Sequence, residues 1–308
     1  MTTHEAPAAR PGPPARPGPP RPTVRPELAG VRAHQVFDTV RSYFEVPYAV
    51  VPGFRPLVLD LHVPQHDTAV PVVVYAHGGG FAGGTRAMGP WAFLLQAGYA
   101  VASVDYRLFG ECRFPGPVHD VAAAVRWVRA HATDYELDSG RVIGFGSSAG
   151  SYLMNAVALA GPGYPGMAGN LGPTPEVSCH LDAVVDHYAP VDFLSFDEDA
   201  EADAIASANG PESTLAKFLG FMPSERPEDA ERANLCRYAT PASPPFLIAH
   251  GDADRIVGIA QSRRLVKALT GAGVQAELVV VPGADHGAPE FDQQPMHDRT
   301  LAFLKSLA

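Results

Sequence analysis

Eight short runs rich in valine, isoleucine, leucine and alanine recur along the chain, at residues 44–50, 57–63, 70–76, 100–105, 141–145, 181–188, 245–250 and 276–281. Several of them, VPVVVYA and PFLIAH among them, are nearly continuous in apolar residues, where a strand with one wet face would alternate. Strands of that kind need cover on both faces. The stretches between them supply it. Over 118–131, Val118, Val121, Val125 and Val128 recur at helical spacing with Arg126 and Arg129 opposite. Over 259–270, Ala260, Leu265, Val266 and Leu269 face away from Gln261, Arg263, Arg264 and Lys267, and Gly271 is placed for a left-handed cap. Alternation of this type predicts an α/β fold with a mostly parallel eight-stranded sheet and helices on both faces. A turn containing Pro52, Gly53 and Pro56 joins the first two strands, which predicts an antiparallel hairpin ahead of the parallel part.

Two segments fall outside the rhythm. Nine of the 31 prolines lie in residues 1–26, where the hexapeptide ARPGPP occurs twice in succession, so this stretch reads as an extended tail without a core of its own. Residues 27–308 are then expected to form one domain. Within it, residues 192–240 are long for a connection between strands and carry eleven acidic against four basic side chains, a net −7. They read as a helical lid, whose acidic run 197–203 forms a solvated face or a gate against anionic substrates.

Hydrophobic residues make up 46% of the 308 and charged residues 18%, enough to build a large core. The net charge of −10 opposes binding to nucleic acid or an anionic membrane. Cys112, Cys179 and Cys236 are too few and too scattered for a disulfide framework or a C-x-x-C site. The N-terminal stretch lacks the apolar core of a signal peptide, and no run is long enough to span a membrane, so a cytoplasmic protein is expected.

The chemistry concentrates where strand RVIGF meets helix SYLMNAVALA, at Gly146-Ser147-Ser148-Ala149-Gly150. A G-x-S-x-G turn between strand and helix projects its central serine above the sheet, and only Ser148 has glycine two residues away on both sides. His77-Gly78-Gly79-Gly80-Phe81 closes an earlier strand, and its backbone can approach a reacting oxyanion. Gly79, Gly80 and Ala149 are the expected amide donors, with His77 fixing the loop rather than titrating. A phosphate loop would need a lysine that is missing here. Because a serine hydroxyl is a poor nucleophile without a base, a histidine and an orienting carboxylate are required. His286 follows the last strand at the same sheet edge as Ser148. Asp254, in HGDADR (250–255), lies farther into its loop than Asp252, which is placed to cap the turn.

In order along the chain, the stretches YAHGGGF (75–81), SVDYRL (103–108), RFPGPVHDVAAAVRWVRAHA (113–132), GSSAG (146–150), PPFLIAHGDADRIV (244–257) and VVVPGADHG (279–287) resemble the α/β-hydrolase superfamily. The likeness is to its HGGG-type esterase/lipase group, which includes hormone-sensitive-lipase-like and feruloyl- and acetylxylan-esterase-like members, and it covers roughly residues 44–305. It implies the α/β-hydrolase fold, assigns the triad acid to Asp254 and implies a serine carboxylic-ester hydrolase. The chain departs from the group in two places. Ser151-Tyr152 stands where Gly-His often follows the elbow glycine, and Ser147 stands where an acidic residue is frequent. Ser148 excludes the aspartate and cysteine nucleophiles that other enzymes use on this scaffold.

Ser148 is accordingly expected to attack a small or medium ester, with His286 as base, Asp254 as its orienting acid and Gly79, Gly80 and Ala149 as the oxyanion hole. No cofactor or metal is needed, activity rises with pH as His286 deprotonates, and a homodimer is compatible with the sequence. Acyl transfer, lactonase or amidase chemistry would use the same acyl-enzyme. A non-catalytic ligand receptor on the same fold would tend to have lost a triad member.

Overall fold

The computed structural model describes residues 39–160 and 165–307, so the proline-rich stretch 1–26 lies outside the described residues. Its strands are β1 (Val40–Val50), β2 (Pro56–Pro64), β3 (Val70–Ala76), β4 (Ala100–Val104), β5 (Leu137–Ser147), β6 (Ala183–His187), β7 (Phe246–Gly251) and β8 (Ala276–Val281). They form one sheet in the order β1-β2-β4-β3-β5-β6-β7-β8. β1 pairs antiparallel with β2, and β2 with β4; every later pairing is parallel. The hairpin and the mostly parallel sheet are thus as the sequence predicts. The helices are α1 (Ala92–Gln96), α2 (Gly116–Ala130), α3 (Ala149–Leu159), α4 (Pro165–Ala168), α5 (Thr214–Leu219), α6 (Pro227–Ala230), α7 (Ala260–Gly271) and α8 (Gln294–Ser306).

Side-chain alternation along the buried strands divides the apolar interior in two. Val72, Val74 and Ala76 of β3 point into a core that holds Val121 and Val125 of α2, Leu153 and Val157 of α3, and Leu265 and Leu269 of α7. Val73 and Tyr75 point the opposite way, toward Leu94 and Leu95 of α1 and Phe303 and Leu304 of α8. Continuous apolar runs are required because both faces are covered. Among the described residues no helix is long and apolar enough to cross a membrane.

Some local expectations are corrected. α7 continues through Gly271, and the positive φ belongs to Gly273 at 79°, so the proposed cap is misplaced by two residues. Arg126 is buried rather than opposite the core, because the carbonyls of Val177, Ala168 and Gly169 satisfy its guanidinium. Gln261 is also buried, bonded to the backbone of Val191 and Asp192.

The 192–240 segment contains only the short helices α5 and α6 and a few 3₁₀ turns. It sends Phe193, Phe196, Leu215, Phe218 and Leu235 into the larger core. Its acidic run is partly structural rather than wholly solvated. Asp199 is nearly buried, pairs with Arg264 of α7 at 2.8 Å and accepts from Gln261. Asp197 accepts from the Ala208 amide at 2.7 Å.

Candidate functional site

The carboxyl ends of β3, β5, β7 and β8 bring the sequence-selected residues together. β5 runs directly into α3 through Ser148, whose φ of 53° and ψ of −119° lie in a sparsely populated region. A non-glycine residue held there costs on the order of 1–3 kcal/mol and persists only where its surroundings over-determine it. They do so here through close packing. A Cβ on Gly150 would lie 2.0 Å from the Ala76 carbonyl oxygen, and one on Gly146 would lie 2.4 Å from the Ser151 nitrogen. The Ser148 amide donates to the His187 carbonyl at 2.8 Å, leaving its hydroxyl at the N-terminal end of α3.

The loop after β3 folds back on itself. Gly79 has a φ of 125°, its carbonyl accepts from the amides of Ala82 and Gly83, and a Cβ there would fall 2.2 Å from the Gly83 oxygen. His77 is buried, donates through Nδ1 to the Gly78 carbonyl at 2.8 Å and stacks on Tyr106, ring centroids 4.4 Å apart. Burial lowers its pKa, against the raising effect of the Gly78 carbonyl. The ring therefore acts as a neutral brace for the loop. Tyr106 completes it by donating its hydroxyl to the His77 carbonyl at 2.7 Å. Behind this loop Arg86 pairs with Asp60 at 2.9 Å and with Asp105. Thr214 of α5 lies over Gly80, with its Oγ1 3.4 Å from where a Cβ would stand.

His286 and Asp254 reach Ser148 from the loops after β8 and β7. His286 Nε2 lies 2.9 Å from Ser148 Oγ, and His286 Nδ1 lies 2.7 Å from Asp254 Oδ2. Asp254 is 1% exposed, and its Oδ1 accepts from the amides of Ile256 and Val257 at 2.9 and 2.8 Å. Burial alone would raise its pKa; hydrogen bonds from His250, His286 and the Val257 amide outweigh that and hold the carboxyl well below its ordinary range. Asp252 accepts instead from the Gly283 amide at 2.6 Å and ties the two loops together. A second tie is Asp285, which takes the amide and guanidinium of Arg255 and the His286 amide. These bonds set its carboxyl at about 2. Among the described residues no group of three His, Cys, Asp or Glu side chains is placed to hold a metal ion.

The BD-FAE family model matches residues 59–269, more than half of the chain. The chain belongs to the BD-FAE family. The matched region holds both glycine loops, Ser148 and Asp254, while His286 lies beyond it. This BD-FAE member is 29% identical to esterase LipC of Mycobacterium tuberculosis over 72% of its own length and 54% of LipC. It is 30% identical to carboxylesterase NlhH of the same organism over 72% of its length and 67% of NlhH. The chain thus spans about half the length of the first esterases it matches. A truncated carbohydrate esterase from gut microbiota superposes with a TM-score of 0.79 at 26% identity, covering 88% of the BD-FAE chain and 98% of its own. The fold is that of the α/β-hydrolases.

Sequence reasoning passed over three side chains of the BD-FAE site. Tyr106 stood in the noted SVDYRL stretch without a role. Tyr188, whose ring lies against His286, ends the run 181–188 that reads as a strand, but it sits one residue past β6 with a φ of 49°. His250 closes the apolar run 245–250, yet its Nε2 lies 3.3 Å from Asp254 Oδ2. The adjacent His-Gly-Asp of residues 250–252 was the one available signal for it.

Proposed function

We propose that the chain is a carboxylic-ester hydrolase working through an acyl-enzyme on Ser148. The observation that carries this reading is the pair of contacts from Ser148 Oγ to His286 Nε2 at 2.9 Å and from His286 Nδ1 to Asp254 at 2.7 Å. His286 Nε2 takes the hydroxyl proton as Oγ attacks the ester carbonyl carbon. The amides of Gly79, Gly80 and Ala149 stabilise the resulting oxyanion, where a single donor contributes about 100- to 1,000-fold in rate. His286 then passes the proton to the departing alcohol as the carbon–oxygen bond breaks. Water, deprotonated by the same nitrogen, releases the acid from Ser148. Asp254 keeps the Nδ1 proton in place and stabilises the imidazolium throughout.

The substrate is a small or medium ester, in keeping with the esterase names of LipC and NlhH. Residues 192–240 serve as the lid that sets its range, since α5 places Thr214 beside Gly80. The test is hydrolysis of nitrophenyl esters by the intact chain and by Ser148→Ala. Loss of at least about a thousandfold in kcat, with fluorophosphonate labelling confined to Ser148, is expected. Substantial turnover by Ser148→Ala, or labelling elsewhere, overturns the reading.

A further inference from the structure

His250 is fully buried near the end of β7, one residue before the glycine that opens the Asp254 loop. Its Nε2 lies 2.7 Å from the Val257 carbonyl oxygen, and its Nδ1 lies 2.6 Å from Ser262 Oγ on α7. A carbonyl can only accept, so the neutral tautomer that satisfies both contacts carries its proton on Nε2 and accepts the Ser262 hydroxyl proton on Nδ1. Nε2 also lies 3.3 Å from Asp254 Oδ2, so its proton is shared in a three-centre contact. The carboxylate then has a donor for each of its four acceptor positions: the Ile256 and Val257 amides on Oδ1, and His286 and His250 on Oδ2. A continuous hydrogen-bonded chain runs from Ser262 through His250, Asp254 and His286 to Ser148.

We propose that His250 is a positioning residue for the candidate triad, fixing the rotation of the Asp254 carboxylate and drawing part of its charge away from His286. The role rests on the ester-hydrolase reading above. Other groups face the His250 ring as well. β6 contributes Asp186, which interacts electrostatically with the ring, and the residue after β6, Tyr188, lies at a centroid distance of 6.4 Å; α7 contributes Ser262; the two loops contribute Asp254 and, beyond it, His286. Asp186 is engaged by Asn155 and the Ala189 amide. That leaves His250 as the side-chain donor to Asp254 on the face away from His286.

His250→Asn removes the Nε2 donor, whereas His250→Gln keeps an amide the same number of bonds from Cα. With one donor fewer, Asp254 is more basic and holds the proton on His286 more tightly. His250→Asn should therefore lower kcat about tenfold with KM changed less than twofold, and move the acid limb of kcat/KM to higher pH by several tenths of a unit. The His286 Nδ1 proton resonance should move downfield with it. His250→Gln should restore most of kcat and return the limb toward its original position. A folded His250→Asn with an unmoved limb, or a Gln variant as impaired as the Asn variant, overturns the proposal. If His250→Asn does not fold, Ser262→Ala carries the same test, because it frees the ring to turn: a smaller displacement in the same direction supports the proposal and an unmoved limb overturns it. Ser148→Ala in parallel separates the two readings. Persistent turnover there overturns the Ser148 mechanism, whereas an inactive Ser148→Ala beside an unmoved limb overturns the His250 role alone.

Discussion

The Tyr188 ring meets the His286 imidazole edge to face, with ring centroids 4.7 Å apart. Phe291 backs the same ring at 4.5 Å, and burial pushes the Tyr188 phenol up to about 12. An aromatic pair of this geometry contributes about 0.5–1.5 kcal/mol beyond its buried area. Its larger consequence here is orientation, because among the described residues His286 is otherwise held by Asp254, Ser148 and its own loop. Tyr188→Leu should lower kcat about tenfold, whereas Tyr188→Phe, which keeps the ring, should stay within about threefold of the parent. Steady-state kinetics on one nitrophenyl ester distinguish the two. Equal loss in both variants would assign the effect to the hydroxyl instead.

Gly150 and Gly83 differ sharply in what a side chain would meet. A Cβ on Gly150 would strike the Ala76 backbone oxygen at 2.0 Å, and a main-chain carbonyl inside a sheet cannot step aside; a Cβ on Gly83 meets nothing within 4 Å. Gly150→Ala should thus displace the Ser148 turn, lower kcat by at least about a hundredfold and destabilise the fold by about 1–3 kcal/mol. Gly83→Ala should leave both nearly unchanged. Urea denaturation with parallel kinetics measures the contrast.

The strands were legible because burial on both faces removes the need for polar alternation: Val72, Val73 and Val74 are all apolar although consecutive ones enter different cores. Ser148, Asp254 and His286 can be grouped from the sequence because the carboxyl ends of the parallel strands β5, β7 and β8 deliver their loops to one edge of the sheet. What escaped depends on partners that a local pattern does not contain. Arg126 and Gln261 look like surface residues until the carbonyls and amides of remote loops satisfy them. The 192–240 segment shows no helical period because its helices α5 and α6 have only six and four residues. His250 and Tyr188 are read as strand residues by composition, and only the folded loops after β7 and β8 place them beside Asp254 and His286.

Tyr106 offers a test of the loop that bears Gly79 and Gly80. Its hydroxyl donates to the His77 carbonyl at 2.7 Å in a fully buried setting. Tyr106→Phe leaves that carbonyl without its donor, and an unsatisfied buried acceptor costs about 1–3 kcal/mol. The ring would still stack on His77, so the fold should survive. Thermal unfolding should show the loss of stability, and kcat should fall several-fold with KM nearly constant, because the amides being displaced act on the transition state. A fall in KM alone would contradict the oxyanion assignment.

His187 makes the acid response of the fold testable. The ring is buried among Phe145, Tyr188 and Phe291, and among the described residues neither of its nitrogens has a hydrogen-bond partner. Burial, aided by the charge of His297, depresses its pKa to about 3. An unfolded histidine binds its proton near 6.5, so the unfolded chain holds more protons than the folded one between that value and about 3. Stability from this group is therefore intact above about 6.5 and declines as pH falls, by roughly 1.4 kcal/mol per unit. Carboxyl groups with lowered values, such as Asp254, add their own loss only below about 4. From about pH 6 to 4.5 the decline comes from His187 and His77, both lowered by burial, against the opposite contribution of Asp120 and Asp186, whose carboxyls burial raises. His187→Phe, which fills the aromatic site without a titrating nitrogen, should flatten the dependence of unfolding free energy on pH across that interval while leaving the region below pH 4 steep. Urea midpoints collected at half-unit steps measure the two slopes, and a parallel decline in parent and variant would show that His187 is not the group responsible.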